Sequence, residues 1–231
     1  MKAILFSAPM ARAILEGRKN TTRRLRNLKE QPQPYGNPEA PVPPGGRFLT
    51  WKGNIWQPFP PEGMPWAMLC KYAPWKPGEL LWVREPWAQE ASFGPDGRTA
   101  HRFYYQADGA ERYVMGYGDG GKEITCPIAW QQSLFMPKAA ARLFLRVRAV
   151  FFQRLKDITD AEAVYEGFTE TKIKGCTGYY TPAESFGIYW DSLRKGRDLK
   201  RYGWEANPWV WVLKFQRAEK PEDWPDMTGG V

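Results

Sequence analysis

A mixed α+β fold is what this sequence predicts: a mainly antiparallel sheet or small mixed β-barrel, with short helices at its flanks. Three observations carry it. Residues 142–152 alternate, with Leu143, Leu145, Val147, Ala149 and Phe151 on one side and Arg142, Phe144, Arg146 and Arg148 on the other, the two-residue period of a strand. Two capping boxes, Thr159-Asp160-Ala161-Glu162 and Thr181-Pro182-Ala183-Glu184, each open a short helix. Between these elements there is no strand–helix–strand rhythm and no internal repeat, so a doubly wound parallel sheet is not expected.

The remaining elements follow in chain order. Residues 2–6 read as a first strand. Ser7 then caps a helix with Pro9 in its first turn and Met10, Ala13 and Ile14 on one stripe, which Gly17 stops. Residues 28–77 hold twelve of the chain's twenty-one prolines, a density that excludes regular helix or central strand over most of the stretch. Trp51, Trp56, Trp66 and Trp75 argue that this stretch packs onto something, as a long ordered insertion. Residues 79–85 and 102–106 read as strands, with a turn at 94–97 and a glycine-rich loop at 116–121. The first capping box leads to a helix ending at Glu166-Gly167. The second leads to a helix reaching about residue 195, with Gly196 beyond its end. Residues 208–217 form the closing strand. The organisation expected is one domain over 1–217, with insertions at about 28–76, 94–135 and 170–200, and a loose tail over 218–231.

Composition bounds the function. The 231 residues carry a net charge of +8, which suits a polyanionic partner. Residues 17–29 concentrate that charge: Arg18, Lys19, Arg23, Arg24, Arg26 and Lys29 occur there without one acid. Cys70, Cys126 and Cys176 lie far apart and His101 is the single histidine, so a Cys/His zinc site lacks ligands at the required spacing. The same cysteines do not make a disulfide framework, which fits a reducing cytoplasm. The opening apolar run is too short for a signal peptide or a membrane span.

Three groups of residues offer chemistry. Lys19 and Thr22 sit three residues apart just past a helix end. A threonine hydroxyl is a weak nucleophile until a neighbour takes its proton, and a lysine crowded by Arg18, Arg23 and Arg24 has the lowered pKa of such a base. The plainer reading of this segment is a basic turn contacting phosphate or water. Glu166 occupies the last turn of its helix, where a carboxylate opposes the helix dipole; near cations it can act as acid or base or orient an amine. Arg84 and Glu85 end a strand and point to opposite faces, with Glu85 as a reserve carboxylate.

On these residues the chain resembles the ASCH domains, relatives of the RNA-binding PUA domains. Gly17, Lys19, Thr22 and Arg24 match the family's Gly-x-Lys-x-x-Thr-x-Arg signature. Residues 77–83 are similar to its Gly-Asp-x-Leu-x-Val strand, 143–166 to its long strand, turn and helix ending in Glu, and 209–215 to its closing strand. About half of the chain is covered. The closest overall look is to larger ASCH-like proteins of bacteriophages and prophages, which implies the cytoplasm of a bacterial host cell.

The resemblance implies a small β-barrel with a cleft beside the segment after the first helix. It also implies, from small bacterial members that deacylate N4-acetylcytidine, an amidohydrolase site with Thr22 as nucleophile, Lys19, and Glu166. Arg24, Arg84 and Glu85 are then candidate substrate contacts, and no metal or organic cofactor is called for. The alternative is a non-catalytic nucleic-acid-binding module in which Arg18, Arg23, Arg26, Arg146 and Arg148 contact phosphates and exposed aromatics stack on bases. A ribonuclease is a third reading. The partner is accordingly a modified nucleoside or RNA.

Overall fold

The computed structural model describes residues 1–26, 28, 31–36, 49–56, 71–93, 99–108, 113–117, 123–127, 129–172 and 178–225. In chain order these form β1 (Lys2–Leu5), α1 (Ala8–Leu15), β2 (Thr21–Arg24), β3 (Gln33–Pro34), β4 (Leu49–Trp51), β5 (Asn54–Trp56), β6 (Leu80–Arg84), β7 (Trp87–Phe93), β8 (Thr99–Tyr105), β9 (Tyr113–Tyr117) and β10 (Glu123–Pro127). There follow β11 (Phe144–Arg154), α2 (Asp160–Tyr165), β12 (Thr171–Lys172), β13 (Tyr179–Tyr180), α3 (Pro182–Ser192), α4 (Gly196–Tyr202) and β14 (Trp209–Ala218). The class is α+β with mixed strand pairing: β1 runs parallel to β6, and β2 antiparallel to β14. No closed barrel forms among the described residues. No helix among them is long and apolar enough to cross a membrane.

The chain divides into two compact units, each gathered from separate stretches. The first comprises Met1–Gly17, Leu80–Leu145 and Arg217–Val231. Here β1 lies along β6 with Ile4 opposite Val83, both buried, and Val83 N–H donates to Leu143 O at 2.9 Å. Helix α1 buries the expected stripe, Met10, Ala13 and Ile14, together with Ala11. Its core gathers Trp82, Trp87, Met136, Phe144 and Trp224. The expectation of a loose tail fails at Trp224, whose ring meets Trp82 at 5.7 Å and Phe144 edge-on at 5.0 Å. The Trp224 indole N–H donates to Lys138 O at 2.8 Å. A tryptophan that buries its ring and satisfies its N–H holds the backbone beside it. Strands β7 and β8 pair antiparallel, as do β9 and β10, and β8, β9 and β10 lie inside the stretch read as insertion. Gly116, expected in a loop, lies in β9 opposite Ile124. Tyr117 of that loop also lies in β9, opposite Glu123, while residues 118–121 and the turn at 94–97 lie outside the described residues.

The second unit comprises Arg18–Glu79 and Arg146–Gln216. Within it β14 lies between β11 and β2. On β11, Val147 is buried between exposed Arg146 and Arg148, as the alternation predicts; farther along, the buried residues are Val150 and Phe152. Phe152 stacks on Trp209 with centroids 5.0 Å apart and on Trp51 at 6.0 Å. Trp51 belongs to a small sheet of β3, β4 and β5 inside the proline-rich stretch. Residues 49–56 contain no proline, so the ladder of β4 and β5 is complete. The second core gathers Leu155, Ile158, Ala163, Phe186, Trp190, Val210 and Val212, which packs α2 and α3 together beside β14.

Candidate functional site

The site grows from the end of α2. Thr159 caps that helix: its hydroxyl accepts from Glu162 N–H at 3.2 Å, and Glu162 Oε2 accepts from Thr159 N–H at 3.1 Å. At the other end Gly167 takes φ +95°, which a side chain resists. Gly167 N–H donates to Val164 O and Phe168 N–H to Ala163 O, the paired bonds of a Schellman stop. Two helix-end carbonyls then lack helical partners. Asn20 N–H donates to Tyr165 O at 3.0 Å, and the Lys19 ammonium donates to Glu166 O at 2.7 Å. A cation at a helix C-terminus also complements the dipole.

Lys19 and Glu166, 147 residues apart in sequence, therefore meet. Lys19 Nζ lies 2.7 Å from Glu166 Oε2, with the two side chains 2% and 3% exposed. The third ammonium N–H goes to Thr21 O at 2.7 Å. These three bonds run to a strand carbonyl, a helix-end carbonyl and a carboxylate oxygen. Burial lowers the Lys19 pKa from 10.5 to about 8, against the attraction of Glu166 and with further lowering from Arg24 and Arg23.

Strand β2 supplies the rest. Lys214 and Leu213 pair with Thr21 and Thr22, and Phe215 N–H donates to Asn20 O, so the basic segment is held as a strand edge on β14. Alternation gives Thr21 and Arg23 one face and Thr22 and Arg24 the other. Thr22 is buried. Arg23 reaches Glu166 Oε1 with Nη1 at 3.2 Å and Glu162 Oε2 with Nη2 at 2.9 Å. Arg24 is half-buried; its pKa is lowered by burial and raised in turn by Glu166 and Tyr189. Three cations and two carboxylates thus share this corner of the second unit.

Other candidates have other surroundings. Arg23, offered as a phosphate contact, is enclosed between Glu162 and Glu166 with a side chain of 0% exposure, and does not face solvent. Arg18, Arg26, Arg146 and Arg148 are exposed; Arg146 donates to Gly78 O at 3.2 Å and Arg26 lies 5.5 Å over the Trp75 ring. Arg84 and Glu85 belong to the first unit. Arg84 donates to Leu134 O at 3.0 Å, and Glu85 is fully buried with both carboxylate oxygens held by Arg142. Glu85 is an internal ion-pair partner, not an open substrate contact. Among the described residues no group of three or more His, Cys, Asp or Glu gathers as a metal-ligand set.

Glu162 is the member that sequence reasoning left out as a site residue, and Arg23, which it placed among the phosphate contacts, binds the two carboxylates instead. The signal was present in the four-residue spacing of Glu162 and Glu166, which puts two carboxylates on one helix face. No family model matches the chain, and no curated protein or solved structure matches it significantly.

Proposed function

We propose that the chain is an amidohydrolase acting on an N4-acylcytidine-like modified nucleoside or a related small amide, with Lys19, Thr22 and Glu166 as its reacting groups. The observation that carries this reading is the buried contact of Lys19 with Glu166, in which the amine titrates near pH 8. An amine with that pKa exchanges its proton close to working pH, which an ordinary exposed lysine does not.

In the proposed reaction, Lys19 as neutral amine takes the Thr22 hydroxyl proton while the threonine oxygen bonds to the acyl carbon. The carbonyl oxygen becomes an oxyanion that the Arg24 guanidinium stabilises. Collapse breaks the C–N bond, and the proton held by Lys19 passes to the departing amine through Glu166. Water then attacks the threonyl ester and gives a proton to Lys19; collapse breaks the bond between the acyl carbon and the Thr22 oxygen, Lys19 returns the proton to that oxygen, and the carboxylic acid leaves with Thr22 and neutral Lys19 restored. In this reaction the lone pair of Lys19 turns toward the Thr22 hydroxyl and loosens one of the bonds to Thr21 O, Glu166 O or Glu166 Oε2.

Hydrolysis of N4-acetylcytidine by the purified full chain tests this. Loss of activity in both Lys19→Ala and Thr22→Ala, with folding intact by circular dichroism, is expected. Wild-type protein with no hydrolysis of acylated nucleosides, or Thr22→Ala with full activity, overturns the reading.

One observation favours a second reading. Arg146 and Arg148 are exposed on one face of β11, and Arg18 and Arg26 are exposed in the basic segment, as an RNA-binding module requires. RNA affinity falling steeply with salt, insensitive to Thr22→Ala and weakened by Arg146→Ala with Arg148→Ala, identifies that case.

A further inference from the structure

Resting on the Lys19–Glu166 site proposed above, we infer that Arg23 is a positioning residue that carries the order of the α2 capping box into the reacting pair. Arg23 grips both carboxylates of α2 at once, Nη2 on Glu162 Oε2 at 2.9 Å and Nη1 on Glu166 Oε1 at 3.2 Å. The Glu162 oxygen it holds also accepts from Thr159 N–H, so the first turn of the helix fixes one prong of the guanidinium. The other prong occupies Oε1 of Glu166, which leaves Oε2 for the Lys19 amine at 2.7 Å. A planar fork with two fixed acceptors defines the rotation of the Glu166 carboxylate in a way a single point charge does not. The guanidinium also lies 5.9 Å over the Phe186 ring of α3, which closes its other side.

The arrangement has an electrostatic consequence. Facing Lys19 are Glu166 at the end of α2 and Arg23 and Arg24 on β2, with Glu162 reached through Arg23. Arg23 draws on the Glu166 charge and repels the ammonium, and both effects ease the loss of the lysine proton. Without it Glu166 is shared only between Lys19 and the more distant charge of Arg24, and the ammonium holds its proton more tightly.

Two measurements on the full-length protein test the inference. Titration of Lys19 by NMR of the protein carrying isotope-labelled lysine, assigned by its disappearance in Lys19→Met, needs no substrate. Arg23→Gln is expected to raise that titration midpoint by roughly one pH unit, whereas Arg23→Lys, which keeps the charge, leaves it near the wild-type value. With N4-acetylcytidine, both variants are expected to lose kcat, about tenfold or more, at little changed KM, because the carboxylate loses its orientation.

A residue that only holds the fold lowers the melting temperature without moving the Lys19 midpoint, and that result overturns the inference. If Arg23→Gln does not fold, Glu162→Gln carries the test. It keeps an amide acceptor for Thr159 and frees Arg23 to pull harder on Glu166, so the Lys19 midpoint falls; an unchanged midpoint overturns the inference equally. A midpoint that shifts as expected in a protein without hydrolysis retires the amidohydrolase reading and leaves Arg23 in its role. Hydrolysis with neither midpoint nor kcat responding does the reverse.

Discussion

Arg142 meets the Glu85 carboxylate edge to edge, Nε 2.9 Å from Oε1 and Nη2 3.1 Å from Oε2. The remaining prong, Nη1, reaches Asp108 at 2.8 Å, and the guanidinium lies 3.8 Å over the Tyr105 ring. Glu85 is fully buried, so removal of its partner strands a charge inside the first unit.

Arg142→Met is therefore expected to destabilise the protein by roughly 3 kcal/mol at neutral pH, toward the lower end for a broken buried pair because Arg142 keeps some solvent access. Burial already raises the Glu85 pKa above its ordinary 4.5, with Arg142 opposing the rise, and the variant raises it further. With a raised folded pKa, the stability contribution of this group is full below the unfolded value and is lost as pH rises through the folded one. The gap between wild type and variant should widen from pH 4 toward pH 7 in denaturant titrations. A gap that stays constant over that range contradicts the account.

At the reacting pair the sign is opposite. Lys19 must be neutral to accept a proton, and its folded pKa lies near 8. Turnover of N4-acetylcytidine should climb about tenfold per pH unit below that value and level off above it. The amine binds a proton more weakly folded than unfolded, so the Lys19 contribution to stability also improves as pH rises from about 8 toward 10.5. Comparison of unfolding free energies at pH 7.5 and 9.5, wild type against Lys19→Met, isolates it.

The two capping threonines offer a matched control. Thr159 and Thr181 each accept from the backbone N–H three residues on, at 3.2 and 3.3 Å. Each change to alanine should cost about 1 kcal/mol by thermal unfolding. Only Thr159→Ala disturbs a box whose glutamate holds Arg23, so only that variant should also lower turnover.

Two glycines are sensitive for different reasons. Gly167→Ala places a side chain at φ +95°, at a cost of about 1–2 kcal/mol, and displaces the Glu166 stop. Gly187→Ala brings a Cβ within 2.8 Å of the Trp204 ring, against which α3 packs, and should cost roughly 1–3 kcal/mol. Denaturant midpoints measure both, and only the first should weaken hydrolysis.

Local signals were the legible ones. Thr159, Thr181 and Pro182 mark their helices because each cap closes within three residues, and residues 209–215 are apolar enough to be a strand in any context. Helix α4 escaped detection because Gly196 reads as a stop, yet at φ +53° it opens a second, polar helix. Strand β7 carries Gln89 and Glu90 in its middle and takes its order from β8. In the site, Lys19 and Glu166 were visible as residue types at helix ends. The Arg23 bridge to Glu166 spans 143 positions, and no local pattern reports it. Alternation sets Arg142 in one row with Arg146 and Arg148, whereas its partner is Glu85, 57 positions away.

The Lys19 amine has three acceptors around it: a strand carbonyl, a helix carbonyl and a carboxylate oxygen. After giving up a proton it has two N–H groups and a lone pair, one donor short of its surroundings. In the proposed reaction the side chain then turns from one oxygen as it becomes reactive. Under that proposal, readiness and rest are two geometries of a single nitrogen, and each turnover passes between them.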